Sequence, residues 1–173
     1  MFSTLDEIKT QILASEDSLA EFKELCFRNR NIISPNTEDI AGELVALANT
    51  EGGALFLGVQ DNGEIQGISK NQLDSVEKWL INIATNNCDP PIRPIIRKFV
   101  LPNPDKQRVE IMLAIISKSL YVHRTSGGRW YTRVGSTKRD LTQQELARLF
   151  QQRGRSFVFD ESFVPAAMQK DLN

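Results

Sequence analysis

Thiols and imidazoles are scarce in this sequence: its 173 residues include two cysteines, Cys26 and Cys88, and one histidine, His123. Neither cysteine has a CxxC partner, and with His123 they make no zinc ligand set at any usual spacing. Zinc is therefore excluded, and two buried or half-buried thiols in a reducing compartment are expected. Long apolar runs are also missing, none approaching the roughly 18 residues that cross a bilayer. The opening segment, Met1 to Ser15, carries acids and an amphipathic pattern (Leu5, Ile8, Ile12, Leu13) instead of the basic-then-apolar layout of a signal peptide. These absences predict a cytoplasmic protein with no membrane partner. There is no internal repeat and no low-complexity tract. A chain of this length buries roughly 70% of its unfolded surface, so one domain can fold without disulfide or metal.

Net charge is nearly absent as well, at −1, but it is segregated along the chain. Residues 1–92 hold 6 Lys/Arg against 15 Asp/Glu, residues 93–139 hold 11 against 2, and residues 140–173 hold 4 against 5. Such asymmetry fits a polyanion-binding face on one part of the fold. It fits equally well acidic helices and basic strands that complement each other inside one domain.

Periodicity predicts the elements. After the first helix, Leu19 to Leu25 reads as a short strand. Ser34-Pro35-Asn36-Thr37 is a turn and cap, opening a mostly buried helix with Ile40, Leu44, Leu47 and Ala48 on one stripe. Gly52-Gly53 is expected to cap that helix in the left-handed conformation. Ala54 to Val59 is a buried strand. Asp61-Asn62-Gly63 reads as a hairpin turn in which Asn and Gly supply two positive φ angles, with Glu64 to Gly67 returning. Ser69 and Gln72 form a capping box before a helix with stripe Leu73, Val76, Leu80, Ile83 and Ala84, stopped at Asp89-Pro90-Pro91. Arg93–Leu101 and Arg108–Ile116 are strands, and Leu120–Arg124 and Arg129–Val134 read as a hairpin around Ser126-Gly127-Gly128. Thr142 and Glu145 cap a last helix. The class predicted is α+β, with helices packed on a mainly antiparallel sheet. One domain over 1–153 is expected. Residues 154–173, where Phe157, Phe159 and Phe163 sit among Asp160-Glu161 and Pro165, read as a C-terminal strap or a linker toward a further domain.

Three motifs in order carry a family resemblance. Glu16-Asp17-Ser18-Leu19-Ala20-Glu21-Phe22-Lys23 resembles the opening of the Schlafen-AlbA-like domain. Ala46 to Gly53, running into Gly58-Val59-Gln60-Asp61-Asn62-Gly63, is similar to its central signature, and Arg133-Val134-Gly135-Ser136-Thr137 to its closing element. The match spans roughly residues 16–153. It implies a Schlafen-AlbA-like lobe and either of two functions: a nucleic-acid-binding module of a bacterial regulator, or an RNA-cleaving enzyme whose three carboxylates fall on Glu16, Glu21 and Asp61. The latter would hold Mg²⁺ or Mn²⁺. Gln60 departs from the acidic pair common after Gly-Val in the family and removes one ligand. The family's cleft is built from two related lobes, and this chain carries one motif set. A homodimer, or a further C-terminal domain, is expected to complete the groove.

Spacing alone does not bring the carboxylates together. Glu16 and Glu21, five apart, point to opposite sides of a strand and about 140° apart on a helix, so they converge only if Asp17-Ser18 bends the chain. Gly135-Ser136-Thr137-Lys138 lacks the G-x-x-x-x-G-K-[S/T] order, which excludes a Walker phosphate loop. The basic hairpin is the expected nucleic-acid face. Alternation puts Trp130, Thr132 and Val134 on the core side, and Arg129, Tyr131 and Arg133 on the outer side. Lys23, Arg124, Arg129, Arg133, Lys138 and Arg139 are expected to meet phosphates, with Tyr131 stacking on bases. The remaining alternative is a structural or dimerising domain. His123 is expected to be a sheet residue rather than a catalytic base.

Overall fold

A computed structural model describes the backbone of residues 1–161 and side chains through Gly154. In chain order the elements are α1 (Leu5–Ala14), β1 (Ala20–Lys23), β2 (Cys26–Arg28), β3 (Asn31–Ser34), α2 (Thr37–Asn49), β4 (Gly52–Leu57), α3 (Leu73–Asn86), β5 (Cys88–Asp89), β6 (Ile95–Pro102), β7 (Arg108–Ser117), β8 (Arg124–Thr125), β9 (Tyr131–Val134), β10 (Thr137–Asp140) and α4 (Gln143–Glu161). The fold is α+β, as the sequence predicts. The main sheet has the order β1-β4-β7-β6, with β1 parallel to β4 and the other pairs antiparallel.

Helices cover both faces of this sheet, which explains the unbroken apolar run of β4: all six of its residues are buried. Leu55 and Leu57 point to the α2 and α3 side, where they meet Leu44, Leu47, Leu80 and Met112. Ala54 and Phe56 point to the α1 side, against Ile8, Ile12, Phe22 and Leu113. Phe56 makes edge-on contacts with Phe22 and Phe2, at centroid distances of 5.2 and 5.4 Å. The expected stripe of α3 is buried at every position. Asn36 caps α2 by accepting the Asp39 N–H, and Thr142 and Glu145 form the reciprocal box of α4. No helix among the described residues is long and apolar enough to cross a membrane.

Several local expectations are corrected. Gly52 and Gly53 do not cap α2; Thr50 does, its N–H bonding Ala46 O and Leu47 O, and the glycines open β4. In the Asp61-Asn62-Gly63 turn only Gly63 has a positive φ, +83°, and the returning segment pairs through one bridge, Val59 with Ile65. Ser69 binds the Gln72 side chain but does not cap a backbone N–H of α3. The 120–134 hairpin does not form: β8 pairs with β5, and β9 pairs with β10 across Gly135-Ser136. Thr125, Gly128 and Arg129 still close a turn, but the strand after it prefers the next segment. An unexpected hairpin joins β2 and β3, its two turn residues Asn29 and Arg30 both left-handed, at φ 49° and 72°. Helix α4 continues past 153 to Glu161; residues 162–173 of the expected strap or linker lie outside the described residues.

The thiols also differ from expectation, because Cys26 is exposed while Cys88 is buried under α2. Burial, with Glu38 nearby, pushes the Cys88 thiol up to about 12. A thiol reagent at pH 8 is therefore expected to titrate Cys26 rapidly in the folded protein and Cys88 only on unfolding. Two fast equivalents from native protein would contradict this packing.

Candidate functional site

Arg133 is the centre of the polar structure. Alternation along β9 turns Tyr131 and Arg133 inward against α2, the reverse of the expected phase, and leaves Val134 exposed. The close approach is allowed by Gly42 within α2, where an added Cβ would lie 3.0 Å from Lys138 Nζ and 3.1 Å from the Tyr131 ring. The Arg133 side chain is 0% exposed. Its Nη1 donates to Glu21 at 2.9 Å and to Glu43 at 3.2 Å, and Nη2 donates to the carbonyls of Asp17, Ala20 and Ser136. Lys23 pairs with Glu21 at 2.5 Å and Lys138 with Glu43 at 3.2 Å. Acids from β1 and α2 thus meet cations from β1, β9 and β10, and this part of the segregated charge neutralises itself inside the domain. Burial first, and then Glu21, holds the Glu43 carboxyl above its usual range, against the pull of Lys138 and Lys23.

Glu43 escaped the sequence reading. The signal was a carboxylate inside a helical run, Ile40 to Asn49, where every residue is buried. A charge at such a position calls for a partner, and Arg133 is that partner.

Two residues expected at the nucleic-acid face are consequently elsewhere. Arg133 cannot reach phosphate, because its guanidinium is enclosed and both Nη groups are committed. Tyr131 is 7% exposed and offers no free ring face: Arg129 and Lys138 sit at 5.0 and 5.1 Å from its centroid. Trp130, expected in the core, is half-buried edge-on against Phe150 of α4. The other cations reach solvent. Arg124 pairs with Asp89, Arg129 with Asp140 and Arg139 with Glu145, all with side chains at least 40% exposed on the arginine. Lys23 and Lys138 are partly covered.

Glu16 lies within electrostatic reach of both Glu21 and Asp61, but the three do not form a ligand set. Burial, then repulsion from Glu21 and Asp61, keeps the Glu16 carboxyl above its usual range, opposed by the Phe22 N–H at 2.7 Å and by Lys23. The bend at Asp17-Ser18 is held by Asp17, which accepts the Leu19 N–H. Yet both oxygens of Glu21 are taken, one by Lys23 and one by Arg133, so cations occupy the side a divalent ion would need. Among the described residues no group of three or more His, Cys, Asp or Glu is arranged to hold a metal ion. As arranged, these residues do not fit Mg²⁺ or Mn²⁺.

His123 is a structural pin. Its Nδ1 lies 2.7 Å from Pro90 O, a site that only accepts, so Nδ1 carries the proton and Nε2 accepts from Ser119 Oγ at 2.7 Å. Burial, the largest influence, keeps its pKa below the usual histidine value. Asn49, at the end of α2, exchanges hydrogen bonds with the His123 backbone and donates to Tyr131 O.

The family model described as "Schlafen, AlbA_2" matches residues 16–142. No curated protein matches. Among solved structures, the DIP2311 protein of Corynebacterium diphtheriae is similar at 20% identity with a TM-score of 0.57, over 85% of this chain and 27% of that one. That likeness concerns the fold, and the chain spans about a quarter of that protein's length.

Proposed function

The chain belongs to the Schlafen AlbA_2 family, and from that premise we propose that it is the nucleic-acid-binding domain of a regulator, holding the phosphate backbone by charge with little base readout. The observation that supports this reading is the set Arg124, Arg129 and Arg139, each held in an exposed ion pair beside Trp130 or on the β9–β10 ribbon. Exposed ion pairs add little stability and are screened by salt. A phosphate can therefore replace Asp89, Asp140 or Glu145 at low cost. Arg133 serves this face indirectly, by fixing β9 on α2.

The test is a mobility assay with labelled tRNA and single-stranded DNA, with and without Mg²⁺ or Mn²⁺. Shifted, uncut nucleic acid supports binding. Metal-dependent cutting would instead favour the ribonuclease reading at Glu16, Glu21 and Asp61, and the absence of both binding and cutting would favour a structural or dimerising role. Affinity is expected to fall as salt rises, with a log–log slope of roughly −0.7 to −0.9 per phosphate neutralised. The double variant Arg124→Ala/Arg129→Ala should flatten that slope by about two phosphates without unfolding the domain. A salt-independent parent protein would rule out the electrostatic face.

A further inference from the structure

Among the described residues two guanidinium groups are buried, and they differ in their counter-ions. Arg133 is met by two carboxylates, as described. Arg153, on α4, is 8% exposed and meets none among the described residues. Its Nη1 donates to Ser119 O, and its Nη2 donates to Asn49 O at 3.1 Å. The second contact satisfies a carbonyl at the C-terminus of α2, whose dipole supplies roughly half a negative charge. That compensation is partial. The Arg153 Nε is buried without a partner, as is the Nε of Arg133. A guanidinium has five N–H donors, so three remain for something else.

Arg153 lines a polar cavity of about 520 Å³ with Thr50, Glu51, Lys118, Thr132 and Gln152. Lys118 also lines a neighbouring cavity of about 300 Å³, with Arg93, Ser119 and Tyr121. Water in the first cavity would leave the positive charge of Arg153 unbalanced. Burial holds the Arg153 pKa below the usual guanidinium value, with Glu51 the opposing influence. The cost of that burial falls if an anion enters. Lys118 reaches the same space and pairs with Glu51 at 2.8 Å through exposed side chains, so the carboxylate can yield its place to a competing oxyanion.

We propose that the cavity between the end of α2 and α4 is a phosphate-binding site, in which Arg153 and Lys118 hold one tetrahedral oxyanion. A guanidinium and an ammonium lining one polar cavity suit an oxyanion, which accepts charge-assisted hydrogen bonds from both. The phosphate comes from one of two sources: a phosphate group of a bound polynucleotide, which rests on the function proposed above, or free inorganic phosphate, which does not.

The experiment follows the Arg153 Nε–H by ¹H–¹⁵N NMR, assigned by its loss in Arg153→Lys. Wild-type protein is titrated with inorganic phosphate against chloride at constant ionic strength, and then with a short single-stranded oligonucleotide carrying or lacking a 5′ phosphate. The expected result is a saturating shift of this resonance. Lys118→Ala should weaken phosphate binding about tenfold, the loss of one charge-assisted contact, and Glu51→Gln should strengthen it. A shift with both oligonucleotides assigns the site to an internal backbone phosphate, a shift only with the phosphorylated one to a chain end, and a shift only with inorganic phosphate to the free ion. If the oligonucleotide binds and Arg124→Ala/Arg129→Ala weakens it while Arg153 stays unmoved by every phosphate, the cavity assignment is overturned and the binding face stands. If no oligonucleotide binds but phosphate shifts Arg153, the reverse holds.

Discussion

Replacing Arg133 by Met is expected to destabilise the domain by about 3–5 kcal/mol, the cost of leaving buried charge without its partner. Glu21 and Glu43 are 6% and 4% exposed, and Arg133 is their shared counter-ion. Lys23 and Lys138 remain in the variant, one on each carboxylate, so the loss is not total. Three backbone carbonyls would also lose their donor. Urea unfolding at pH 7 measures the effect. A change below about 1 kcal/mol, typical of exposed pairs, would mean that Arg133 does not hold β9 to the sheet.

The same variant makes a pH prediction. The folded Glu43 carboxyl already lies above its usual range, so folding favours its protonated form. For a raised carboxyl, the associated stability is fully present below the unfolded pKa and is lost as pH rises through the folded one. Removing Arg133 raises the folded value further and widens that window upward. The deficit of Arg133→Met against the parent should therefore be largest at neutral pH and narrow on acidification toward the ordinary carboxylate range. At low pH the parent itself loses the anions that balance Arg133, which narrows the gap again.

What could be read from the sequence was what is local. α2, β4, α3, β6 and β7 announce themselves by periodicity, and both Asn36 and the Thr142–Glu145 box act as caps. The phase of β9 was not local. Hydrophobicity favours Trp130 in the core over Arg133, and only partners 112 and 90 residues away make a buried arginine tolerable. Its strand partner was equally hidden, because Ser126-Gly127-Gly128 and Gly135-Ser136 are both good turns and only the second closes a ladder. The carboxylate site shows the complementary limit. Glu21 and Asp61 each come near Glu16 in electrostatic terms, but the cations that occupy Glu21 arrive from β1 and β9.

Gly53→Ala is expected to be among the most damaging single-methyl additions in the chain, and its reason ties the fold to the ionic centre. Gly53 has φ +143°, and an added Cβ would lie 2.4 Å from Leu19 O, a backbone atom that cannot rotate away, and 2.9 Å from the Leu47 side chain. Leu19 O accepts the Ala54 N–H at 2.8 Å, so relief would require moving the entrance of β1 away from β4. β1 carries Glu21, so that movement also pulls the carboxylate from Arg133. Gly128→Ala is the control: its φ is +83°, with nothing within 4 Å of the added atom. The control should lose about 1–2 kcal/mol from the left-handed backbone alone. Gly53→Ala adds overpacking, typically 1–3 kcal/mol where neighbours can shift and more against backbone, and should exceed the control by at least 1 kcal/mol in urea unfolding. Equal losses in the two variants would mean that β1 and β4 are not in this close contact, and that Gly53 is needed only for its backbone angle.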